Sequence, residues 1–451
     1  MTSLRGALCL TLLASACGGG APSGPPDVLL ISVDTLRADR VSAWGYGRRT
    51  TPSIDALAER GVRFADAVAP SSHTAPSHLS IFTGADPQAH GVRNVVAQDT
   101  STQRINDRWT MLPEVFQEAG YRTAIVGDSG NVHPDLGFDR GFDRTEFEML
   151  AIPEKLPIVE DIIAETDAEQ PLFLFFHTYQ VHAPYLPPPR YFGRFTDRAY
   201  DGPFRERYDG LAGRPMGVAF KLAGNFLSPF DGLGERDVRW ISDLYDENLL
   251  AADEGLGELI ATWERERGRD GWIVLFSDHG EEFFEHGRLG HKRGLERVLT
   301  HVPLVVVGPR AVPGVVESTT SLTGLAATLA ELCGLDPTPF AAPSFASAVL
   351  DPASMTDAGA AFQQLLVPDG EPTAEAFTRA GLNWIRTGDR TLLERYAASA
   401  GAPDEALLDE RLDQRRIGNL DRLSGRPPTA GRDLSEQRRR QLEALGYAGE
   451  D

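Results

Sequence analysis

The chain has 451 residues, 41% of them hydrophobic, with 31 prolines. That is enough to bury a sizeable core and too long for one typical small domain, so one large α/β domain plus a smaller unit is expected. A formal net charge of −21 leaves no basic surplus to neutralise phosphates, which excludes a nucleic-acid partner.

Residues 1–17 read as an export signal. Arg5 supplies a positive start, Ala7 to Ala14 form an apolar run, and Ala14-Ser15-Ala16 place small residues before Cys17. The run is too short to span a bilayer. It resembles a bacterial lipoprotein signal in which Cys17 is lipidated, with a plain secretory signal cleaved nearby as the other reading. The Gly- and Pro-rich residues 18–26 are then a flexible tether. The expected location is outside the cytoplasm, anchored to a bacterial membrane and facing the periplasm or the cell exterior. Cys9 lies in the signal and Cys17 at the lipid site, so only Cys333 is left for the folded part. No internal disulfide can form, and no cysteine nucleophile or thiolate metal site is indicated.

Asp27 to Asp34 is a continuous apolar run ending in an acid, as a buried parallel strand reads. Ligands of open α/β sheets bind at the carboxyl ends of such strands, which makes Asp34 a candidate ligand, with Thr35, Arg37 and Asp39 nearby. From Pro52 to Phe64, Ile54, Leu57, Ala58 and Val62 recur at helical spacing, and Gly61 can end the helix. Ser71 to Gly84 is the central stretch. Pro76, two residues after Thr74, suits the first turn of a helix, where its missing N–H is no loss. Thr74 then sits at a helix N-terminus, a place that favours anions, and its hydroxyl is a candidate nucleophile once its proton is removed. His90 to Asn94 follows.

Leu112 to Ala119 reads as a helix, and Tyr121 to Val126 and Pro171 to His177 as strands; the loop Gln180 to Tyr185 carries His182. Residues 186–236 lack a clear period and read as an irregular excursion of the kind that shapes substrate choice. Trp240 to Arg265 is a long amphipathic helix. Gly271 to Gly280 is a second strand ending in ligand types, Asp278 and His279, followed by a polar loop from Glu281 to His291. His301 to Gly308 reads as a buried strand and Leu322 to Leu335 as a helix. This alternation over residues 27–340 predicts an α/β fold, a large mostly parallel sheet sandwiched by helices. Residues 341–425 are expected to form a small C-terminal α+β subdomain, with Trp384–Gly388 and Thr391–Leu393 as paired antiparallel strands. Residues 426–451 are a charged tail, with a helix from Asp433 to Leu445.

Asp34, Thr74, Asp278 and His279 thus fall on one side of the presumed sheet. They offer oxygen and nitrogen ligands suited to one divalent metal ion such as zinc, manganese or calcium. Such an ion would lower the pKa of the Thr74 hydroxyl and orient it. Asn94, His182, His291 and Lys292 lie on loops at that end, where they would clamp oxygens and protonate a leaving oxygen, as phosphoryl or sulfuryl transfer requires.

These residues resemble the motifs of the sulfatase family, the sulfatase-like branch of the alkaline phosphatase superfamily, from about Asp27 to Leu335. The family pattern is a nucleophile, any residue, Pro, Ser and a basic residue, with Thr-Gly nine positions after the nucleophile. Thr74-Ala75-Pro76-Ser77-His78 with Thr83-Gly84 fits it without a gap. Val33 to Asp39 is similar to its first metal motif and Ser277 to Gly280 to its second. His90 to Asn94 and His182 to Tyr185 match its substrate-side motifs, His291 or Lys292 falls where it places a substrate cation, and Leu407 to Leu420 resembles its usual ending.

Two departures matter. Sulfatases carry a formylglycine made from Cys or Ser at the nucleophile, followed by Arg; here the positions hold Thr74 and His78. A formylglycine hydrate expels sulfate by collapsing to an aldehyde, whereas a threonine ester must be attacked at its central atom, a route familiar for phosphorus. Thr35 also replaces an acid common in sulfatases, which leaves one carboxylate fewer for calcium and favours zinc or manganese. The resemblance implies an exported, membrane-anchored hydrolase of sulfate or phosphate esters with Thr74 as nucleophile, Asn94, His78, His182, and His291 or Lys292 around it, and one metal ion. Its substrate would be an anionic small-molecule, glycan or lipid ester. The alternatives are a phospho-headgroup transferase and a non-catalytic lipoprotein that binds an anionic glycan.

Overall fold

The computed structural model describes residues 24–94, 101–223, 226–227, 232–291, 293–355, 359–366, 372–396 and 405–433, with 439 and 442. Strand β1 (Val28–Val33) lies at the middle of a sheet completed by β2 (Val62–Phe64), β3 (Arg122–Gly127), β4 (Arg144–Phe147), β5 (Leu172–Thr178), β6 (Trp272–Phe276), β7 (Leu304–Val307) and β8 (Gly314–Val316). Their spatial order is β8-β2-β7-β6-β1-β5-β3-β4. β1 is parallel to both neighbours, with Leu30 opposite Phe175 on β5 and Val274 on β6.

A strand buried on both faces has no polar side, which is why β1 and β5 read as unbroken apolar runs. The two-residue alternation sorts them between two cores. Val28, Leu30, Phe173 and Phe175 face one core with Leu79 and Phe82 of helix α1 (Thr74–Thr83). Leu29, Ile31, Leu174 and Phe176 face the other. That second face is covered by α2 (Ile152–Glu165) and by α3 (Glu235–Arg267), whose Ile241, Leu244, Leu249, Leu256 and Trp263 are buried.

The sheet is mostly parallel, as expected, with β7 running against its neighbours. The expected strand His301–Gly308 is divided at Pro303. His301–Val302 pairs with Ala67–Val68 in a separate small sheet, while β7 runs antiparallel to β2 and β6. Proline has no N–H to continue a ladder, so one run becomes two strands. The expected helix Leu322–Leu335 is an α-helix only over Leu325–Leu332, preceded by a 3₁₀ turn. Within the stretch read as irregular, Pro203–Leu211 and Met216–Leu222 are helices. Phe204, Tyr208 and Leu211 supply the buried stripe of the first, a helical spacing masked by the charged residues between them. The loop after His279 holds a short antiparallel pair, Glu282–Phe283 with Leu289–Gly290.

Beyond the central sheet, β9 (Ala360–Leu366), β10 (Pro372–Arg379), β11 (Leu382–Thr387) and β12 (Arg390–Arg395) form an antiparallel sheet in chain order. The pairing of β11 with β12, Thr387 opposite Arg390, is the turn expected after Trp384–Gly388. Helix α4 (Glu405–Gly425) sets Leu412 against Phe362 and Trp384. Thr429–Asp433 is a strand paired with Ser101–Arg104. Cys17, residues 1–23, and most of the expected helix Asp433–Leu445 lie outside the described residues.

One buried ion pair holds the carboxyl ends of β3 and β5 together. Lys155 Nζ lies 2.8 Å from Asp128 Oδ1 and donates to the His177 carbonyl at 2.8 Å, while Asp128 also accepts from the Tyr179 and Leu150 N–H groups. Both side chains are essentially inaccessible. Lys155→Met leaves the Asp128 carboxylate buried without its cation, so a loss of about 3–5 kcal/mol in urea-unfolding free energy is expected. A loss below about 1 kcal/mol would show the pair to be dispensable.

Candidate active site

Strands β1 and β6 are neighbours in register, so the residues that leave their carboxyl ends meet. Asp34 follows β1, Asp278 and His279 follow β6, and Thr74 opens α1 on the same side. Asp34, Asp278 and His279 each offer a ligand atom within 4.8 Å of the others, and all three are buried. Thr74 Oγ1 is 3.2 Å from His279 Nε2.

Backbone contacts fix this geometry. Asp34 N–H donates to the Thr178 carbonyl at 3.0 Å. Ser277 Oγ accepts from Leu36 N–H and donates to the His279 carbonyl, tying the two ligand turns to each other. Ser77 Oγ donates to the Asp278 carbonyl at 2.7 Å, which joins α1 to the same turn. Thr35 is held at φ 58, a conformation costly for a β-branched residue. The Tyr245 hydroxyl braces it, donating to the Thr35 carbonyl and accepting from Arg37 N–H. Arg37 itself forks onto Asp39 and reaches Glu285.

The electrostatics are those of a cation site. Both carboxylate oxygens of Asp34 and of Asp278 are buried without a hydrogen-bond partner. Burial, then the neighbouring Asp278, raises the Asp34 pKa well above the ordinary range. Burial pushes Asp278 up to about 8. Burial likewise holds His279 well below its usual value, keeping the imidazole neutral and able to ligate. Two orphaned carboxylates beside a neutral imidazole and a hydroxyl fit a divalent cation.

Three histidines share one orientation. His182, His279 and His291 each place Nδ1 at a backbone carbonyl, of Ala183 (2.6 Å), Gly280 (2.9 Å) and Ser72 (3.0 Å). A carbonyl only accepts, so each Nδ1 carries the proton and each Nε2 faces inward. The Nε2 atoms of His182 and His291 stand 3.1 Å apart, and the His279 and His291 rings lie 4.2 Å apart. Burial and the neighbouring histidines lower the His291 pKa. Asn94 accepts from Ala75 N–H through Oδ1 at 2.8 Å, which leaves its Nδ2 buried without a partner beside the start of α1.

Of the residues singled out in the sequence, Asp34, Thr74, Asn94, His182, Asp278, His279 and His291 come together here. Lys292 lies outside the described residues. His78 has a different place. Its Nδ1–H donates to the Thr74 carbonyl at 2.9 Å, its Nε2 accepts from Ser32 Oγ at 2.8 Å, and its ring is buried between Phe138, Phe175, His177 and Phe276. It braces the start of α1 through the Thr74 carbonyl, and its Nδ1 also lies 3.4 Å from Asp278 Oδ2. The sequence counted it among the catalytic candidates as the basic residue of the motif; full burial pushes its pKa down to about 4 and leaves it neutral.

Three residues escaped the sequence reading. His73, just before α1, sets its ring 6.4 Å from that of His291. Glu281 is buried, which raises its carboxyl to about 8. His177 is buried on β5 with its Nε2 3.6 Å from Asp34 Oδ2. Its position, a polar residue at the carboxyl end of an apolar strand, was the same signal that marked Asp34 and Asp278.

Comparison with known proteins identifies the family. The family model described as Sulfatase matches residues 26–335. A sulfatase of Formosa agariphila is 25% identical over 354 residues, covering 69% of each chain. The choline-sulfatase of Rhizobium meliloti is 25% identical over 362 residues, covering 69% of this chain and 68% of its own. The crystal structure of the phosphonate monoester hydrolase of Agrobacterium radiobacter superposes with a TM-score of 0.65 at 20% identity, over 87% of this chain and 96% of its own. With its motifs, fold and site in this register, the chain belongs to the sulfatase family and is a sulfatase-like hydrolase of sulfate or phosphate esters.

Proposed function

We propose that this protein is an exported hydrolase, held to a membrane through a lipid on Cys17, that uses Thr74 as a nucleophile on phosphate esters in preference to sulfate esters. Asp34, Thr74, Asp278 and His279 would hold one divalent ion, zinc or manganese. The observation that carries the reading is the Thr74 hydroxyl at the N-terminus of α1, 3.2 Å from His279 Nε2 and beside two orphaned carboxylates. When bound, the ion makes the hydroxyl more acidic and offsets charge on the substrate oxygens.

The chain's own groups supply the rest. Thr74 Oγ1 attacks the central atom in line, the bond to the leaving alcohol oxygen breaks, and the group rests as a threonine ester. Asn94 Nδ2 is placed to donate to a non-bridging oxygen. His182 and His291 face each other through Nε2, 3.1 Å apart; as neutral imidazoles they accept there, so one of them takes up the proton that Thr74 Oγ1 gives up and passes it to the leaving oxygen. Water then attacks the same central atom and restores the hydroxyl. A threonine ester has no aldehyde into which it can collapse, so this second step demands attack at the central atom, which phosphorus admits more readily than sulfur. The substrate is an anionic small-molecule, glycan or lipid ester.

The test is turnover of matched aryl sulfate, phosphate monoester and phosphate diester substrates by the manganese- or zinc-loaded protein. Faster cleavage of a phosphate ester is expected. Preference for the sulfate would overturn the argument from the threonine ester.

A further inference from the structure

His177 is the one histidine on β5 and follows the run Leu172-Phe173-Leu174-Phe175-Phe176. Its register partner on β1 is Ser32, two residues before Asp34, and Asp34 N–H is bonded to the next residue, Thr178. The imidazole is fully buried, packed against His78 at 5.1 Å and Tyr179 at 4.8 Å, and neither ring nitrogen has a hydrogen-bond partner. A buried polar group in that condition costs about 1–3 kcal/mol. A phenylalanine would fill the slot without that cost, as it does at Phe175 and Phe176. The adjacent His78 shows the contrast, because both of its nitrogens are satisfied. Asp34 Oδ2 lies 3.6 Å from His177 Nε2, and that oxygen has no partner either.

We propose that His177 is a positioning residue for Asp34: its Nε2–H closes onto one carboxylate oxygen and so turns the other toward a divalent ion. This rests on the reading of Asp34, Asp278 and His279 as a metal site. Movement of the imidazole from 3.6 Å to an ordinary hydrogen-bond length of about 2.9 Å pairs Nε2 with Asp34 Oδ2, two buried atoms that otherwise lack a partner. A carboxylate that ligates through one oxygen and accepts through the other is oriented before the ion arrives, and removal of such an outer partner typically weakens metal binding about 10–100-fold.

The experiment is titration calorimetry of manganese into chelator-stripped full-length protein, comparing wild type with His177→Phe, His177→Met and His177→Gln, alongside each apo-protein's melting temperature. Phe and Met keep the volume without the donor, and Gln returns an N–H donor. The proposal expects manganese affinity about 10–100-fold weaker in both donorless variants, a Gln variant within about threefold of wild type, and apo melting temperatures of the donorless variants no lower than wild type. Wild-type affinity in either donorless variant overturns the role of His177 while leaving the metal site intact. Failure of wild type to bind the ion overturns both together.

Discussion

Thr74→Ala is expected to lower kcat/KM on every ester the enzyme cleaves by at least about 10³-fold, over about 4 kcal/mol of transition-state stabilisation. The substitution removes the attacking oxygen and one ligand, while the hydrogen bonds that position the start of α1 belong to its neighbours. Ala75 N–H still reaches Asn94, Ser77 still reaches the Asp278 carbonyl, and His78 still holds the backbone carbonyl of residue 74. The variant should therefore fold and keep most of its affinity for substrate. Thr74→Ser restores an oxygen at the same backbone position and should return activity to within about tenfold of wild type. Steady-state kinetics with circular dichroism decides the matter: full activity in Thr74→Ala would remove Thr74 from the mechanism.

The second large effect concerns Asp278 and pH. Its folded pKa is raised to about 8 by burial, with Asp34 raised beside it, against an unfolded value of about 4. Between those values the folded apo-protein holds a proton that the unfolded chain has released. The stability of the apo-protein must then fall as pH rises from about 4 to about 8. A divalent ion replaces that proton, so the metal-loaded protein escapes the decline, and metal affinity rises with pH over the same window. Metal at about 100 times its Kd adds about 2.7 kcal/mol of stability.

Asp278→Asn separates the two contributions. Without metal it should be more stable than wild type at pH 8 and similar to it near pH 4, because the costly buried charge is gone. With metal it should gain little, because a ligand is gone too. Urea unfolding across pH, with chelator and with metal, gives all four curves. An apo wild type whose stability rises from pH 5 to pH 8 would contradict the raised pKa values.

The sequence made legible those site residues whose signals are local. Asp34 and Asp278 end apolar strands, Thr74 precedes a proline in a helix-opening stretch, and the parallel arrangement of β1 and β6 brings their ends together. The central sheet was legible for the same reason, since a strand buried on both faces writes an unbroken apolar run. What stayed hidden depends on contacts between distant residues. Tyr245 braces Thr35 from 210 positions away, and nothing in the composition of α3 marks that hydroxyl as different from any other. His78 follows the nucleophile in a motif, yet packing turns its ring toward Ser32. The antiparallel course of β7 hinged on Pro303, one residue inside a run that otherwise looked continuous.

The claim at the centre of this account is that Thr74 becomes covalently bonded to the group it removes. Rapid acid quench during turnover of a phosphate ester, followed by proteolysis and mass spectrometry, measures it directly. The account predicts a phosphorylated peptide whose modification maps to Thr74 and which Thr74→Ala never yields. Turnover with every peptide unmodified, in a quench fast enough to capture the first cycle, would contradict it and point to direct attack by water.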